Sequence, residues 1–327
     1  MLYPFKFKPI FKEKIWGGQK LKTILNKEIP EDKLIGESWE ISDHDVDTNI
    51  ISNGSFAGKN LHYIFTKFKK ELLGDRLATQ YSEKFPLLFK FIDASGKLSI
   101  QVHPNNEYAQ KHEKNAFGKT EAWYIVHAEP NSYIIAGLSK KTTKEEFAHA
   151  ITNNALEPYF NKIYVKSGDF IYIPSGRLHA IMPGILLNEI QQNSDITYRV
   201  YDWNRPGLDG KPRELHIQKS LDTINFKDIK IDKEIPIPIN DYTQLLKKSP
   251  FFTIEKLTLT KTVTESTIAS DSFHALSILE GKANIKTKNN DLEIKKGNSI
   301  LIPYSIGEYT IIPENTCLLL KSYIGRT

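Results

Sequence analysis

The sequence predicts a mainly β protein built from two barrels of the same type, with a few short helices. Three features of its 327 residues predict this fold class. Most of the chain consists of short β-rich segments separated by Gly, Pro, Asn and Asp, a pattern typical of barrels and sandwiches. Stretches with a helical pattern are few. In addition, the segment 165–179 recurs in similar form at 294–308.

The clearest β-rich segments are 85–104, 120–138 and 167–184, each rich in aliphatic and aromatic residues and bounded by turn residues. Two stretches have helical character, 59–78 and 142–163. Thr142 or Thr143 is the expected N-terminal cap of the second one.

The repeat aligns VKSGDFIYIPSGRLH with IKKGNSILIPYSIGE. Each copy has a Gly, five residues and then a Pro, so a Gly-containing turn should feed a strand that ends at a Pro-marked corner. The hairpin-like segment 273–287 precedes the second copy and supports a second barrel. His179 of the first copy is replaced by Glu308, which predicts that the second barrel holds no metal. A Pro- and Ile-rich stretch, 232–242, is interpreted as a linker between domains 1–240 and 241–327.

The composition is that of an ordinary globular protein, with 40% apolar and 25% charged residues. No run of about 18 apolar residues predicts a membrane span, and the N-terminus has no apolar segment of a secretory signal. The single cysteine, Cys317, excludes an internal disulfide and a Cys-based zinc finger, and it favours a reducing, cytoplasmic location. The net charge of +5 is dispersed along the chain and does not indicate nucleic-acid binding.

The segment 98–104, LSIQVHP, places Ser99, Gln101 and His103 on one face of a predicted strand, because side chains alternate between faces. A polar barrel interior and a surface strand with an incidental histidine both fit this pattern. Lys119 and Glu121 also share a strand face, as part of a site or as a salt bridge.

His179 follows a strand that ends at Pro174, after a Ser-Gly turn, and a histidine in such a place is usually a surface residue. Two imidazoles, one carboxylate and one amide oxygen would nevertheless make a plausible divalent-metal site with an open coordination position. The candidate ligands are Gln101, His103, Glu121 and His179.

GDFIYIPSGRLHAI resembles the second signature segment of the cupin superfamily, whose members are jelly-roll β-barrels. The first cupin segment departs from its usual His-x-His, since Gln101-Val102-His103 stands there. That departure, with LSIQVHP followed by Lys119-Thr120-Glu121, is similar to the signature of type I mannose-6-phosphate isomerases. The segment 189–202, EIQQNSDITYRVYD, and the N-terminal KIWGG and GESWEIS motifs also resemble this family.

The resemblance implies a catalytic domain over 1–240 and a degenerate cupin domain over 241–327, in a short bacterial form without the large helical insertion. It implies one Zn²⁺ per chain, held by the four candidate ligands. It also implies an aldose–ketose isomerase that interconverts mannose 6-phosphate and fructose 6-phosphate through a cis-enediol. The implied substrate contacts are Lys90, Ser99, Lys119 and Arg199, with Arg205 in addition.

Arg199, Lys119 and Glu189 are the expected catalytic residues. For the proton-transfer base, Lys119 with a lowered pKa, Glu189 and a zinc-bound water all remain candidates. A phosphorylated hexose is the expected binding partner. Two alternatives are another metal-dependent cupin enzyme and a non-catalytic sugar-binding cupin. Gln101 argues against the first, because such enzymes usually carry His-x-His, and the complete ligand set argues against the second.

Overall fold

A computed structural model of the chain describes residues 1–45, 47–113 and 117–326. Strands account for 41% of the residues and helices for 16%, which confirms the mainly β prediction. None of the helices in the described part of the chain is long and apolar enough to cross a membrane.

The strands before residue 236 include all those of the first barrel. They are β1 (Phe5–Lys8), β2 (Ile10–Gly18), β3 (Ile35–Ile41), β4 (Asp43–His44), β5 (Asp47–Thr48), β6 (Ile50–Ile51), β7 (Leu87–Ala94), β8 (Ile100–Val102), β9 (Glu121–Ala128), β10 (Tyr133–Leu138), β11 (Phe160–Tyr164), β12 (Phe170–Ile173), β13 (His179–Ile181), β14 (Ile185–Gln192) and β15 (Tyr198–Tyr201).

The remaining strands form most of the second barrel. They are β16 (Ile237–Pro238), β17 (Thr243–Lys248), β18 (Thr253–Leu259), β19 (Val263–Ser266), β20 (His274–Glu280), β21 (Lys282–Lys286), β22 (Asp291–Lys295), β23 (Ser299–Ile302), β24 (Glu308–Pro313) and β25 (Cys317–Tyr323). The helices are α1 (Lys20–Thr23), α2 (Leu61–Lys67), α3 (Lys69–Leu73), α4 (Asp75–Gln80), α5 (Asn106–His112), α6 (Lys144–Thr152) and α7 (Ile217–Thr223).

The first barrel consists of two antiparallel sheets that face each other. One has the order β12-β9-β14-β7-β3-β2 and the other β11-β10-β13-β8-β15. Apolar side chains from both sheets meet between them, including Ile125 and Ile171 from the first and Ile134 and Ile181 from the second. Burial of this shared face is the main contribution to holding the sheets together.

The second barrel pairs the sheet β16-β17-β18-β25-β20-β23-β1-β6 with the sheet β19-β24-β21-β22. The N-terminal strand β1 lies in the first of these sheets, where Phe5 is opposite Leu301. The first residues of the chain therefore extend the sheet of the second barrel. The domain division at residue 240 stays a prediction.

The sequence repeat corresponds to a repeat of structure. Gly168 and Gly297 both have positive φ angles, +92° and +83°, in the turns that feed β12 and β23. Each of these strands ends one residue before a proline, Pro174 or Pro303, as the sequence predicted.

The predicted helices are partly confirmed. The segment 59–78 forms α2, α3 and most of α4, and α6 begins after a Thr143 cap that forms a reciprocal capping box with Glu146. The prediction of helix up to residue 163 is wrong, because residues 160–164 form β11 and pair with β10. Burial of Phe160 and Ile163 against the sheet outweighs the local helical pattern there.

Candidate active site

The short strand β8 brings two candidate ligands, Gln101 and His179, together. Its apolar residues, Ile100 and Val102, are fully buried on one face, so Gln101 points to the other face, into the barrel. Gln101 lies opposite His179 of β13 in the ladder, and Nε2 of Gln101 is 3.2 Å from Nε2 of His179. The polar face of LSIQVHP is therefore the barrel interior and not a surface strand.

His103, Glu121 and His179 form one buried group, and each is at most 1% exposed. The Nε2 atoms of the two histidines are 3.1 Å apart. Glu121 Oε2 lies 3.5 Å from His103 Nε2, and Glu121 Oε1 lies 3.4 Å from His179 Nε2. Within residues 1–45, 47–113 and 117–326, this is the only such group of His, Cys, Asp or Glu that could hold a metal ion.

The protonation of the two imidazoles shows that the group fits a cation. His103 Nδ1 donates to the carbonyl oxygen of Ile196 at 2.7 Å, and His179 Nδ1 donates to that of Arg177 at 2.8 Å. Since a carbonyl only accepts, the proton of each neutral ring is on Nδ1 and the lone pairs of both Nε2 atoms face each other. Burial lowers the pKa of His179 to about 3 and that of His103 well below its ordinary value, so both rings are neutral.

Gln101 currently turns its amide nitrogen towards His179, and Ser99 Oγ donates to its Oε1 at 3.2 Å. Rotation of the amide by half a turn would present the oxygen instead, and the two amide atoms have nearly the same shape. The role of Gln101 as a fourth ligand stays a prediction.

Lys119 contacts this group directly. Its Nζ lies 2.7 Å from Glu121 Oε2 and 3.1 Å from His103 Nε2, and the side chain is buried. Burial alone would lower the pKa of Lys119, but the carboxylates of Glu121 and Glu189 outweigh it and raise the pKa. This direction is opposite to the lowered pKa that the base role would need, and the identity of the base stays a prediction.

Glu189 lies on β14 opposite Lys90 of β7, in the sheet that forms the other wall of the interior. Trp123 Nε1 donates to Glu189 Oε2 at 2.9 Å, whereas Oε1 is buried without a hydrogen-bond partner in the described part of the chain. Burial raises the pKa of Glu189, and the nearby Glu121 raises it further. By contrast, Lys90 and Lys14 overcome the effect of burial and hold the pKa of Glu37 at about 2.

A cavity of about 290 Å³ opens beside the group of His103, Glu121 and His179, called the metal group below. Gln101 and Lys119, which contact this group, also line the cavity. All the expected substrate contacts except Arg205 line it. The cavity also has lining residues that the sequence analysis did not assign, among them Lys12, Lys14, Trp16, Glu37, Trp39, Asp47, Asp195, Thr197 and Arg213.

A sequence signal existed for some of these residues. Trp16, Glu37 and Trp39 lie in the KIWGG and GESWEIS motifs, which were noted as family features but given no role. Arg213 had no such signal, because it lies in a loop beyond the recognised motifs.

Arg199 reaches the cavity from β15, where it lies opposite Gln101. Each of the four lysines that line the cavity has a carboxylate oxygen within 4 Å. No carboxylate lies that close to Arg199 in the described ranges, and its Nε is buried without a partner. An unpaired guanidinium beside a metal group suits an anionic substrate.

The second barrel has a different interior. Ile302, the counterpart of Ile173 in the repeat, pairs with His274, whereas Ile173 pairs with Glu121. His274 is bonded to the hydroxyls of Tyr309 and Ser270 at 2.7 and 2.8 Å. The absence of a metal from this barrel stays a prediction.

Lys321 of β25 lies opposite Leu276, two residues beyond His274 on β20. Glu189 of β14 likewise lies opposite Trp123, two residues beyond Glu121 on β9, so Lys321 is the counterpart of Glu189. Its ammonium lies 2.8 Å from Glu255 and 2.6 Å from Glu265. A lysine side chain thus already neutralises the acidic groups inside the second barrel.

A double-barrel fold with a buried His–Glu–His group beside a cationic cavity defines a metal-binding protein of the cupin class. Two family models match the chain: the catalytic domain of phosphomannose isomerase type I at residues 4–163, and the cupin domain of mannose-6-phosphate isomerase at residues 241–324. The chain belongs to the type I phosphomannose isomerase family.

Among its relatives, the mannose-6-phosphate isomerase ManA of Bacillus subtilis is 37% identical over 97% of this chain and 98% of its own. The mannose-6-phosphate isomerase of Streptococcus mutans is 37% identical over 90% of both chains. A crystal structure of the mannose 6-phosphate isomerase from Bacillus subtilis superimposes with a TM-score of 0.89 at 34% identity, over 99% of this chain and 100% of that one.

Proposed function

We propose that this chain interconverts mannose 6-phosphate and fructose 6-phosphate, with one zinc ion held by Gln101, His103, Glu121 and His179. The observation that supports this most directly is the pair of unprotonated Nε2 atoms, 3.1 Å apart, at the edge of a cavity with an unpaired arginine. Membership of the type I family supports the choice of substrate and product.

The reaction moves a proton between C2 and C1 of the open-chain sugar through a cis-enediol. When bound, the metal would supply Lewis-acid stabilisation of the negative charge that develops on the sugar oxygens. Each tenfold gain in rate corresponds to about 1.4 kcal/mol of stabilisation. The chain itself must supply a proton carrier and further fixed cations.

Glu189 is our choice for the proton carrier. Its raised pKa brings proton uptake closer to neutral pH. Glu189 also lines the cavity, and Trp123 holds its carboxyl group through Oε2. The carboxylates of Glu121 and Glu189 raise the pKa of Lys119, so we assign it the role of stabilising enediolate charge as an ammonium, together with Lys90.

Arg199 is assigned to the substrate phosphate, with Ser99 as a hydroxyl donor nearer the metal group. A guanidinium fork matches phosphate oxygens, and Arg199 has no competing carboxylate in the described part of the chain.

The test is an isomerase assay on purified protein with metal analysis of the same sample. We expect fructose 6-phosphate to form from mannose 6-phosphate, activity to disappear with a chelator, and activity to return with zinc. Manganese, cobalt and ferrous iron are tested in parallel, because oxygen and nitrogen ligands accept these ions too. Sugar-phosphate binding without turnover would contradict the enzyme assignment, and activity of a metal-free sample would contradict the zinc assignment.

The proposal includes a cytoplasmic location, which the single free, buried Cys317 supports. It also includes the assignment of catalysis to residues 1–240 and of a degenerate, non-catalytic barrel to 241–327. A phosphorylated hexose is the proposed partner, and nucleic acid is not.

A further inference from the structure

The loop after β15 carries two arginines that share one carboxylate. Asp202 is only 6% exposed, and its oxygens accept hydrogen bonds from both Arg205 and Arg213. The loop begins with two non-glycine residues at positive φ, Trp203 at 60° and Asn204 at 51°. A buried carboxylate with two guanidinium partners fixes the path of this loop.

The two arginines are held differently. Arg213 donates through Nε to Asp202 Oδ2 at 2.7 Å and through Nη2 to Oδ1 at 2.6 Å. This bidentate pair leaves Nη1 without a hydrogen-bond partner among the described residues. Arg205 makes a single bond to Oδ1 at 3.1 Å. Arg213 lines the cavity beside the metal group, whereas Arg205 does not.

Arg213 and Arg199 therefore bring two guanidinium groups to one cavity. Like charges repel, and after burial it is Arg213 that contributes most to lowering the pKa of Arg199. Among the described residues, Asp202 is the only carboxylate within 4 Å of either of these two cavity-lining arginines, so one positive charge of the pair remains in excess. A cavity with this excess charge suits an anion better than a neutral sugar.

The lysines at the other side of the cavity do not offer the same excess charge. Lys12 pairs with Asp47, and Lys14 pairs with Glu37. Both lysines therefore already have a carboxylate partner, whereas Arg199 has none in the described ranges.

We propose that Arg213 is a second phosphate-binding residue, which Asp202 orients so that Nη1 faces the phosphate of the substrate opposite Arg199. This inference rests on the proposed function for the identity of the substrate. The recognised group is a phosphate dianion, and its two possible sources are the sugar phosphate and free inorganic phosphate.

The experiment compares Arg213→Gln and Arg213→Lys with the control Lys211→Gln. The control removes a positive charge from the same loop, at an exposed residue that does not line the cavity. For each protein we would measure kcat and KM for mannose 6-phosphate, the inhibition constant of inorganic phosphate, the zinc content and the unfolding temperature.

Arg213→Gln should raise both KM and the phosphate inhibition constant about 10- to 100-fold, the range for loss of a charge-assisted hydrogen bond. Its zinc content should match that of the wild type. Arg213→Lys keeps the charge and should recover part of the loss, while Lys211→Gln should change KM and the inhibition constant less than about twofold. If Arg213→Gln does not fold, the lysine variant decides, since it still loses the bidentate geometry.

An unchanged phosphate inhibition constant in both Arg213 variants would overturn the inference, and so would an equal loss in Lys211→Gln, which would reduce the effect to the general charge of the loop. If the wild type does not isomerise mannose 6-phosphate, calorimetric titration with inorganic phosphate replaces the kinetics. Arg213-dependent phosphate binding would then support the binding role although the proposed function had failed. A wild type that turns over normally beside an unaffected Arg213→Gln would leave the function intact and refute the inference alone.

Discussion

Replacement of Lys119 by Met tests whether the buried group is a metal site or a structural ion pair. Without metal, the Lys119 ammonium is the cation nearest to Glu121, at 2.7 Å, and both side chains are at most 6% exposed. Removal of Lys119 leaves a buried carboxylate without a counter-charge. A bound divalent cation would supply that charge instead, so the damage should depend on metal.

The magnitude follows from the distance and the burial. With an effective dielectric constant of about 20, two unit charges 2.7 Å apart attract by about 6 kcal/mol. The variant has no ammonium to desolvate, and this offsets part of the lost attraction. Breaking a buried ion pair typically costs about 3–5 kcal/mol, which is the loss of stability we expect without metal. With metal present, we expect a loss of no more than about 1.5 kcal/mol, the scale of a hydrogen bond. The thermodynamic cycle then requires metal to bind Lys119→Met about 10- to 400-fold more tightly.

The assay is urea denaturation of both proteins with EDTA and with one equivalent of zinc, together with metal affinity from chelator competition. Lys90→Met is the matched control, because Lys90 lies 3.6 Å from Glu189 and 3.8 Å from Glu37 and not against the histidines. Its loss of stability should be the same with and without zinc. Equal destabilisation of Lys119→Met in both conditions, or weaker zinc binding, would refute the reasoning and favour a structural ion pair.

Three further variants test the two barrels. His179→Ala should lose both metal and isomerase activity, and full activity in that variant would remove His179 from the site. Arg199→Ala should keep its zinc by metal analysis yet lose at least about tenfold in kcat/KM; wild-type kinetics would overturn its role. Glu308 is exposed at the start of β24, so Glu308→Ala should retain metal and near-normal catalysis, and a loss of metal there would contradict the assignment of one site per chain.

His274 is buried and neutral, with a pKa well below the ordinary 6.5, mainly through burial. The unfolded chain therefore takes up a proton below pH 6.5 that the folded chain does not. The free energy of unfolding should therefore be at its full value above pH 6.5, as far as His274 is concerned. It should fall by about 2 kcal/mol by pH 5. Denaturation of wild type and His274→Gln at both pH values checks this, and identical pH dependence would contradict it.

The metal group could be predicted from the sequence because its ligands lie in short, recognisable local patterns. Alternation along β8 was enough to place Gln101 and His103 on one face, and the Gly–Pro spacing was enough to place His179 after a corner. The pKa of Lys119 could not be predicted in this way. Its direction depends on how many carboxylates surround a buried ammonium, and those carboxylates come from separate strands.

The helix predicted up to residue 163 failed for a related reason. Residues 160–164 carry a pattern that suits either structure, and pairing with β10 decides the outcome. Arg213 lies fourteen residues beyond Arg199 in a loop without periodic pattern, and tertiary contacts, among them its ion pair with Asp202, bring it back to the cavity.

The sequence alone determined which chemistry is available: the strand class, the repeated barrel, the family resemblance and the donor types of one candidate metal group. Such properties follow from side-chain periodicity and residue type, which are local. Tertiary structure decided which of these groups meet, how the imidazoles are protonated, and which cations remain unpaired in the cavity. Those properties depend on distances between atoms far apart in the chain, and electrostatic interactions inside a barrel are set by these distances and by burial.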